Sequence, residues 1–415
     1  MRVLLLVHHF PPDVNSTGQL MAQLGEGLVA RGHEVTVLTT FPHYAEFRTW
    51  PEYRGKLWEL GEYRGMPVYR VYSYAPGNKS MRNRLGNYVS FNLSAALRAL
   101  PLRHRFDAIL ATNGSFFTGV TGWLLAGRRM PLIYNLQDLY PHVPIQAGQL
   151  TSRRQIAILR GVERFMYRHA SHLTVITPSF REYLLGEGIP AEKVTVIPNF
   201  VDTEFIRPLP KDNEWSRRHG LADKFVVAHA GALGYVYDLG TMVEVAARLK
   251  NDPGTVFVIV GDGVQKAELE ARAQALSLDN VRFLPFQPAE DLPLMRATFD
   301  VQVALYRPGA ALHSMPSKVY EIMASGRAVV AGAEDGSDLR RLVEDAGAGV
   351  ATDPGDVDAL ERSLRMLRGD GDLRERMGRH GRACAEAEYA QGVVVGQYDE
   401  LLRRTRSCAP APGAR

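Results

Sequence analysis

Short, fully apolar runs alternate with amphipathic segments along most of this chain. Val3–Val7 is apolar throughout, and Gln19–Arg31 places Leu20, Leu24, Leu28 and Val29 on one helical face before Gly32 ends it. Val35–Thr39 follows as a second strand, so the chain opens with a β-α-β unit, which implies parallel strands and a right-handed crossover. Ala108–Thr112, Leu132–Leu136 and Leu173–Thr177 continue the alternation. A second series of strands runs through Val226–Ala230, Val256–Val260, Val281–Leu284, Val301–Leu305 and Ala328–Ala331. Helical patterns at Thr241–Leu249, Gln265–Leu276, Ala289–Ala297 and Lys318–Ala324 separate them. Strands that are apolar at every position are buried on both faces. The expected fold is therefore α/β, with two doubly wound parallel-sheet domains in series. Pro178 after Thr177 reads as a breaker and divides the chain into domains 1–179 and 180–389. The polar stretch Arg207–Asn213 is the latest place for the seam. The tail, 407–415, is rich in Ala and Pro and is expected to be disordered.

Composition narrows the classes. With 415 residues, 46% hydrophobic and 23% charged, the chain is neither fibrous nor intrinsically disordered. Cys384 and Cys408 are too few for a disulfide framework or a Cys-based zinc site and fit a reducing cytoplasm. No stretch approaches the roughly 20 apolar residues of a membrane span. The apolar run at the N-terminus is shorter than the roughly 7–15 residues of a secretory signal core.

The net charge of +4 hides an asymmetry. Residues 1–200 carry 22 Lys/Arg against 13 Asp/Glu, leaving 27 against 32 for the remainder. The excess gathers in residues 43–105, with eleven Lys/Arg against four Glu. Tyr44, Trp50, Tyr53, Trp58, Tyr63, Tyr69, Tyr72 and Tyr74 are interleaved, and Arg82, Arg84, Arg98, Arg103 and Arg105 surround the apolar run Tyr88–Leu97. Basic charge beside aromatic and apolar surface suits a protein lying on an anionic membrane, here expected to be the inner face of the cytoplasmic membrane. No nucleic-acid recognition motif accompanies the basic segment.

Candidate chemistry sits at the carboxyl ends of strands, where open α/β sheets bind ligands. The turn Pro11–Gly18 feeds the first helix, and Gly18 lets backbone approach a ligand. Gly231 and Gly234 follow the strand Val226–Ala230. Gly261 and Gly263 follow Val256–Val260, with Lys266 one turn into the next helix. Phe286 follows Val281–Leu284 and joins the ligand-binding candidates. The most specific block is His313–Val330. Pro316 and Ser317 open a helix, Lys318 lies in its first turn, and Glu321 one turn on is placed to accept from both hydroxyls of a ribose. A cation at a helix N-terminus opposes the helix dipole, and a bound dianion explains it. Asp138 ends a strand of the first domain and is a candidate for substrate contact, with a helix cap as the alternative. No metal is implied: His8-His9 lacks ligand spacing, and Asp356-Val357-Asp358 reads as a cap.

At these motifs the chain resembles the family-4 retaining glycosyltransferases of GT-B fold, two Rossmann-like domains facing a cleft. The matching residues are the opening strand and its Pro-Pro loop, Arg31–Val37, Val196–Asp202, Val260–Gly263 and Pro316–Val330, and the likeness spans about residues 1–405. Phe41-Pro42-His43-Tyr44 and Tyr53–Lys56 are similar to the bacterial branch that builds colanic acid, amino-sugar O-antigens and other exopolysaccharides. The resemblance implies an acceptor-binding first domain, a nucleotide-sugar-binding second domain, and a final helix, about 390–406, returning to the first. It implies transfer from a nucleoside diphosphate sugar, with UDP favoured, to a lipid-linked saccharide. No cofactor is implied, since the nucleotide sugar is a substrate. Family members serve the donor with two acidic residues eight apart: Glu321 matches the later, and His313 stands at the earlier. The Arg and Lys that many members carry near the first glycine turn are missing from Gly231–Asp238, leaving Lys318 for the diphosphate. A nucleoside diphosphate sugar 2-epimerase and a non-catalytic sugar-nucleotide-binding homologue share the architecture. A NAD-dependent dehydrogenase is disfavoured by the lack of G-x-G-x-x-G.

Overall fold

The computed structural model describes the chain except residues 14, 79, 116, 129, 140–144, 146–149, 151 and 408–415, and side-chain detail is also left aside at 313, 406 and 407. Most of the tail expected to be disordered therefore lies outside the described residues. The chain divides into two compact units, Met1–Asn199 with Gln391–Arg415, and Phe200–Ala390.

The first unit runs β1 (Arg2–Leu6), α1 (Ser16–Ala30), β2 (Glu34–Thr40), β3 (Trp58–Tyr63), β4 (Met66–Val71), α2 (Met81–Ala99), β5 (Ala108–Thr112), α3 (Thr118–Ala126), β6 (Leu132–Leu136), α4 (Arg153–His169), β7 (His172–Val175), α5 (Pro178–Gly186) and β8 (Val194–Val196). Its sheet has the order β3-β4-β2-β1-β5-β6-β7-β8. All pairings are parallel except β3 with β4. That edge hairpin turns at Arg64 and Gly65, both at positive φ, within a segment the hydrophobic pattern left without strands. Val3, Leu5, Leu6, Ile109, Leu110 and Ile133 are buried in this sheet, as continuous apolar strands require.

The seam falls later than the expected residue 179. Pro178 starts α5 rather than ending the domain, with Thr177 accepting from the Phe180 amide as its cap. Proline suits the first helical position because its missing N–H has no intrahelical partner there. After α5, β8 still pairs with β7, and Asn199 donates to Gln137 at 2.8 Å.

The second unit runs α6 (Glu214–Arg218), β9 (Phe225–Ala230), α7 (Leu239–Arg248), β10 (Thr255–Val260), α8 (Lys266–Ala275), β11 (Val281–Leu284), α9 (Leu292–Thr298), β12 (Val301–Leu305), α10 (Lys318–Ala324), β13 (Ala328–Gly332), α11 (Asp338–Asp345), β14 (Gly349–Thr352), α12 (Val357–Gly369) and α13 (Gly371–Glu388). Its all-parallel sheet has the order β11-β10-β9-β12-β13-β14. Val227, Phe257, Ile259, Val303 and Val330 pack on Met242, Val245 and Leu364 across one face. Val226, Val258 and Val260 meet Trp215 and Phe299 on the other. Asp356 caps α12 by accepting from the Ala359 amide.

The last helix, α14 (Gln391–Ser407), packs in the first unit. Arg31 donates to the Gly392 carbonyl at 2.7 Å, His33 Nε2 lies 2.8 Å from Asp399, and Asn135 donates to the Tyr398 hydroxyl at 2.9 Å. The Arg31–Val37 motif thus docks the returning helix.

Candidate active site

The parallel strands of each sheet reverse their order once, at β1/β5 in the first unit and β9/β12 in the second. Such switch points open a crevice at the carboxyl ends of the strands. The loops after β9 and β12, together with the start of α10, bring most of the expected donor residues to the second switch point.

Lys318 is the centre of that group. It is buried, with Nζ 3.1 Å from His229 Nε2 and 3.8 Å from the centre of the Tyr237 ring. A Cβ built at Gly231 would stand 3.7 Å from the same Nζ. Burial, then Arg296, depresses the Lys318 ammonium well below its usual range, while Glu321 pulls the other way. Burial and the Lys318 charge likewise hold His229 well below an ordinary imidazole. Glu321 is half-exposed and pairs with Arg296, whose other η-nitrogen donates to Gln302.

Two cations missed by the sequence reading stand here. Arg296 comes from α9 and Arg307 from the end of β12, each far along the chain from the first glycine turn. Arg307 donates from Nε to the Tyr237 carbonyl at 3.3 Å and from Nη2 to Gln265 at 3.1 Å. Buried Gln265 also donates to the carbonyls of Gly234 and Tyr237, fixing the shape of the loop.

The glycine turns differ from one another. The Gly231 amide donates to Val260, and Leu233 to Asp262, so the turns after β9 and β10 are stitched together. At Gly261, φ +136°, a Cβ would fall 2.0 Å from the Gly231 carbonyl oxygen; at Gly263, φ +155°, it would fall 2.5 Å from that of Leu233. Backbone packing alone therefore demands glycine at both positions. Gly234 has no atom within 4 Å of its Cβ direction. Gly18 resembles the packed pair: a Cβ there would lie 2.8 Å from the His9 carbonyl oxygen, and its amide already donates to Asn15.

The remaining candidates are more dispersed. Phe286 is exposed, its ring edge 3.5 Å from the Cβ position of Gly261. Lys266 opens α8 and is half-buried. Pro316 is buried, whereas Ser317 is exposed and, contrary to expectation, makes no side-chain cap. The amides of Val319 and Tyr320 already donate to Pro316 and Ser317. His313 ends a single 3-10 turn, Ala311–His313.

In the first unit, Asp138 follows β6, and its carbonyl accepts from Asn113. Its side chain reaches solvent, yet the protein packed around it pushes the carboxyl up to about 6. The next residues of its motif, from 140, lie outside the described set. The fold also gathers what spacing did not show: His8 and His9 from the turn after β1, and His43 from the turn after β2.

The chain matches two family models in the order of its units. A glycosyl transferase 4-like domain matches residues 17–199, and glycosyl transferases group 1 matches residues 211–383. Together with the two parallel sheets, these matches define a glycosyltransferase of the GT-B class. The chain belongs to family 4 of these enzymes. It is 28% identical over 378 residues to a protein of Escherichia coli (strain K12) named for colanic acid biosynthesis, the glycosyl transferase WcaI, covering 88% of this chain and 92% of that one. Sucrose-phosphate synthase from Thermosynechococcus elongatus superimposes with TM-score 0.78 at 19% identity, over 98% of this chain and 100% of that one. Anabaena HepE, solved with UDP-glucose, superimposes with TM-score 0.73 at 20% identity, over 97% and 100%.

Proposed function

We propose that the chain transfers a sugar from a nucleoside diphosphate sugar, a UDP-sugar foremost, to a hydroxyl of a lipid-linked saccharide in the assembly of a surface polysaccharide, with retention at the anomeric carbon. The observation that carries this reading is buried Lys318 at the β9/β12 switch point, beside the Arg296–Glu321 pair. A diphosphate there restores the charge that burial withholds from Lys318, and half-exposed Glu321 has carboxylate left for the ribose. In the reaction, the bond from the anomeric carbon to the diphosphate oxygen breaks and a bond to the acceptor oxygen forms on the same face. The acceptor's proton passes to the departing diphosphate. Charge grows on that leaving group, and fixed cations aimed at it lower the barrier. Lys318 supplies this charge, with exposed Arg307 at its rim. Asp138 serves the acceptor or the sugar, and His313 stands at the position where the family's earlier acidic residue serves the sugar. That HepE was solved with UDP-glucose supports testing UDP-sugars first.

Thermal stabilisation tests the reading. Among UDP-, GDP-, ADP- and dTDP-sugars, one nucleotide should raise Tm, and Glu321→Ala should remove most of that rise. No shift with any nucleotide at concentrations far above ordinary affinities would reject the donor site.

The membrane part of the proposal rests on α2. Met81, Leu85, Val89, Leu93 and Leu97 recur every fourth residue and are 47–70% exposed, while Phe91 and Ala95 on the opposite face are buried. A continuous exposed apolar stripe is unusual on a soluble surface. No helix among the described residues is long and apolar enough to cross a membrane. Arg82, Arg103 and Arg105 are exposed near the ends of the stripe. Arg98 is not available to lipid in the same way, because its guanidinium stacks 4.2 Å from the centre of the Trp58 ring and 4.5 Å from that of Tyr69. Leu93→Asp with Leu97→Asp should weaken binding to anionic vesicles at least about tenfold in a flotation assay. Equal binding by the double variant would refute the membrane role.

A further inference from the structure

We propose that His8, His9 and His43 bind one divalent transition-metal ion of the zinc type, with Asp13 as an outer support. The site lies wholly in the first unit and does not depend on the donor reading. Each imidazole offers one ring nitrogen, and the three lie within 4.8 Å of one another. They leave adjacent strands, since β1 pairs with β2.

Two of the rings are held as ligand imidazoles are held. His43 Nδ1 lies 2.8 Å from the Phe41 carbonyl, to which it donates when Nε2 carries the lone pair. His9 Nδ1 lies 3.2 Å from Asp13 Oδ2. Asp13 is fixed in turn by the amides of His43 at 3.0 Å and Tyr44 at 2.8 Å. A histidine that ligates a metal commonly gives its second nitrogen to a carbonyl or carboxylate, which sets the tautomer and the ring's aim.

His8 supplies the independent observation. It is only 3% exposed, and neither of its ring nitrogens makes a hydrogen bond of good geometry, although Asn87 and the Gly114 backbone stand beside the ring. Its ring is surrounded by His9, His43, Tyr88 and Phe91. A buried polar group with no partner is costly, and a metal ion at its lone pair relieves that cost.

Two features oppose loading and set its terms. Asn87 Nδ2 lies 3.0 Å from His43 Nε2 and 2.9 Å from the Tyr74 carbonyl; an ion replaces the first contact and leaves the second. Arg70 approaches Asp13 from β4, and the Asp13 carboxylate offsets its charge. Zinc–nitrogen bonds of about 2.0–2.1 Å place tetrahedral ligand nitrogens roughly 3.4 Å apart, so the rings turn inward on binding. Three imidazoles without oxygen ligands select zinc, cobalt, nickel or copper over magnesium and calcium, and leave a fourth position for water or another ligand.

The test uses the untagged full chain, stripped with chelator. Titration with Co(II) should produce a visible ligand-field spectrum saturating at one equivalent per chain. Zn(II), but not Mg(II), should raise Tm. His9→Ala and His43→Ala should each abolish the spectrum, and Asp13→Asn should weaken affinity about tenfold or more. His9 is partly exposed, so its variant should keep the fold, as circular dichroism would verify. Absence of a one-equivalent spectrum, or a spectrum that survives both histidine substitutions, overturns the site. Nucleotide stabilisation is read separately, so neither proposal can mask the failure of the other.

Discussion

Lys318→Met should leave the fold standing and remove most of the catalysis. Methionine matches the length of the lysine stem and is tolerated among Tyr237, His229 and the Gly231 turn. An ammonium buried beside an imidazole held neutral adds little to stability, because desolvation opposes it. Tm should therefore hold or rise. Turnover should fall by about 10²–10³, the usual cost of losing one fixed donor to developing charge. Steady-state transfer, or donor hydrolysis if no acceptor is found, measures the loss against Tm. Turnover within threefold of the parent would place the diphosphate elsewhere.

Gly261→Ala should do the reverse and damage the fold before the chemistry. Its φ of +136° is foreign to an L side chain, and its Cβ would stand 2.0 Å from the Gly231 carbonyl oxygen. Strain of about 1–3 kcal/mol adds to overpacking of about 1–3 kcal/mol. A total near 3 kcal/mol corresponds to a Tm loss of roughly 6–12 °C for a unit of this size. Gly234→Ala is the matched control. With open space around it, its stability change should stay within about 0.5 kcal/mol. Any loss of donor affinity in that variant then reports ligand approach rather than packing. A Gly261→Ala protein as stable as its parent would refute the packing account.

The same contrast explains what the sequence could and could not reveal. Parallel strands were readable because burial on both faces leaves Leu4–Leu6 or Val256–Val260 without a polar position. The edge strand Trp58–Tyr63 was not, because it carries exposed Trp58 and Leu60 beside Glu59 and Glu62 and lacks an apolar run. Pro178 misled because one residue type both ends and begins helices, and only the Thr177 cap distinguishes the cases. Lys318 and Glu321 were legible because both lie on one short helix. Arg296 and Arg307 were hidden because other elements carry them to their partners, Arg296 to Glu321 and Arg307 to the Tyr237 carbonyl. The histidine cluster was hidden for the same reason: His43 meets His8 through the pairing of β1 with β2.

The returning helix α14 makes the second unit an insertion in the chain of the first. Ribosomes add about 5–20 residues per second, so the roughly 190 residues of Phe200–Ala390 occupy about 10–40 s between the making of β8 and of α14. Throughout that interval Asn135 and His33 wait without Tyr398 and Asp399. The unit that begins first during translation is thus the last to be completed.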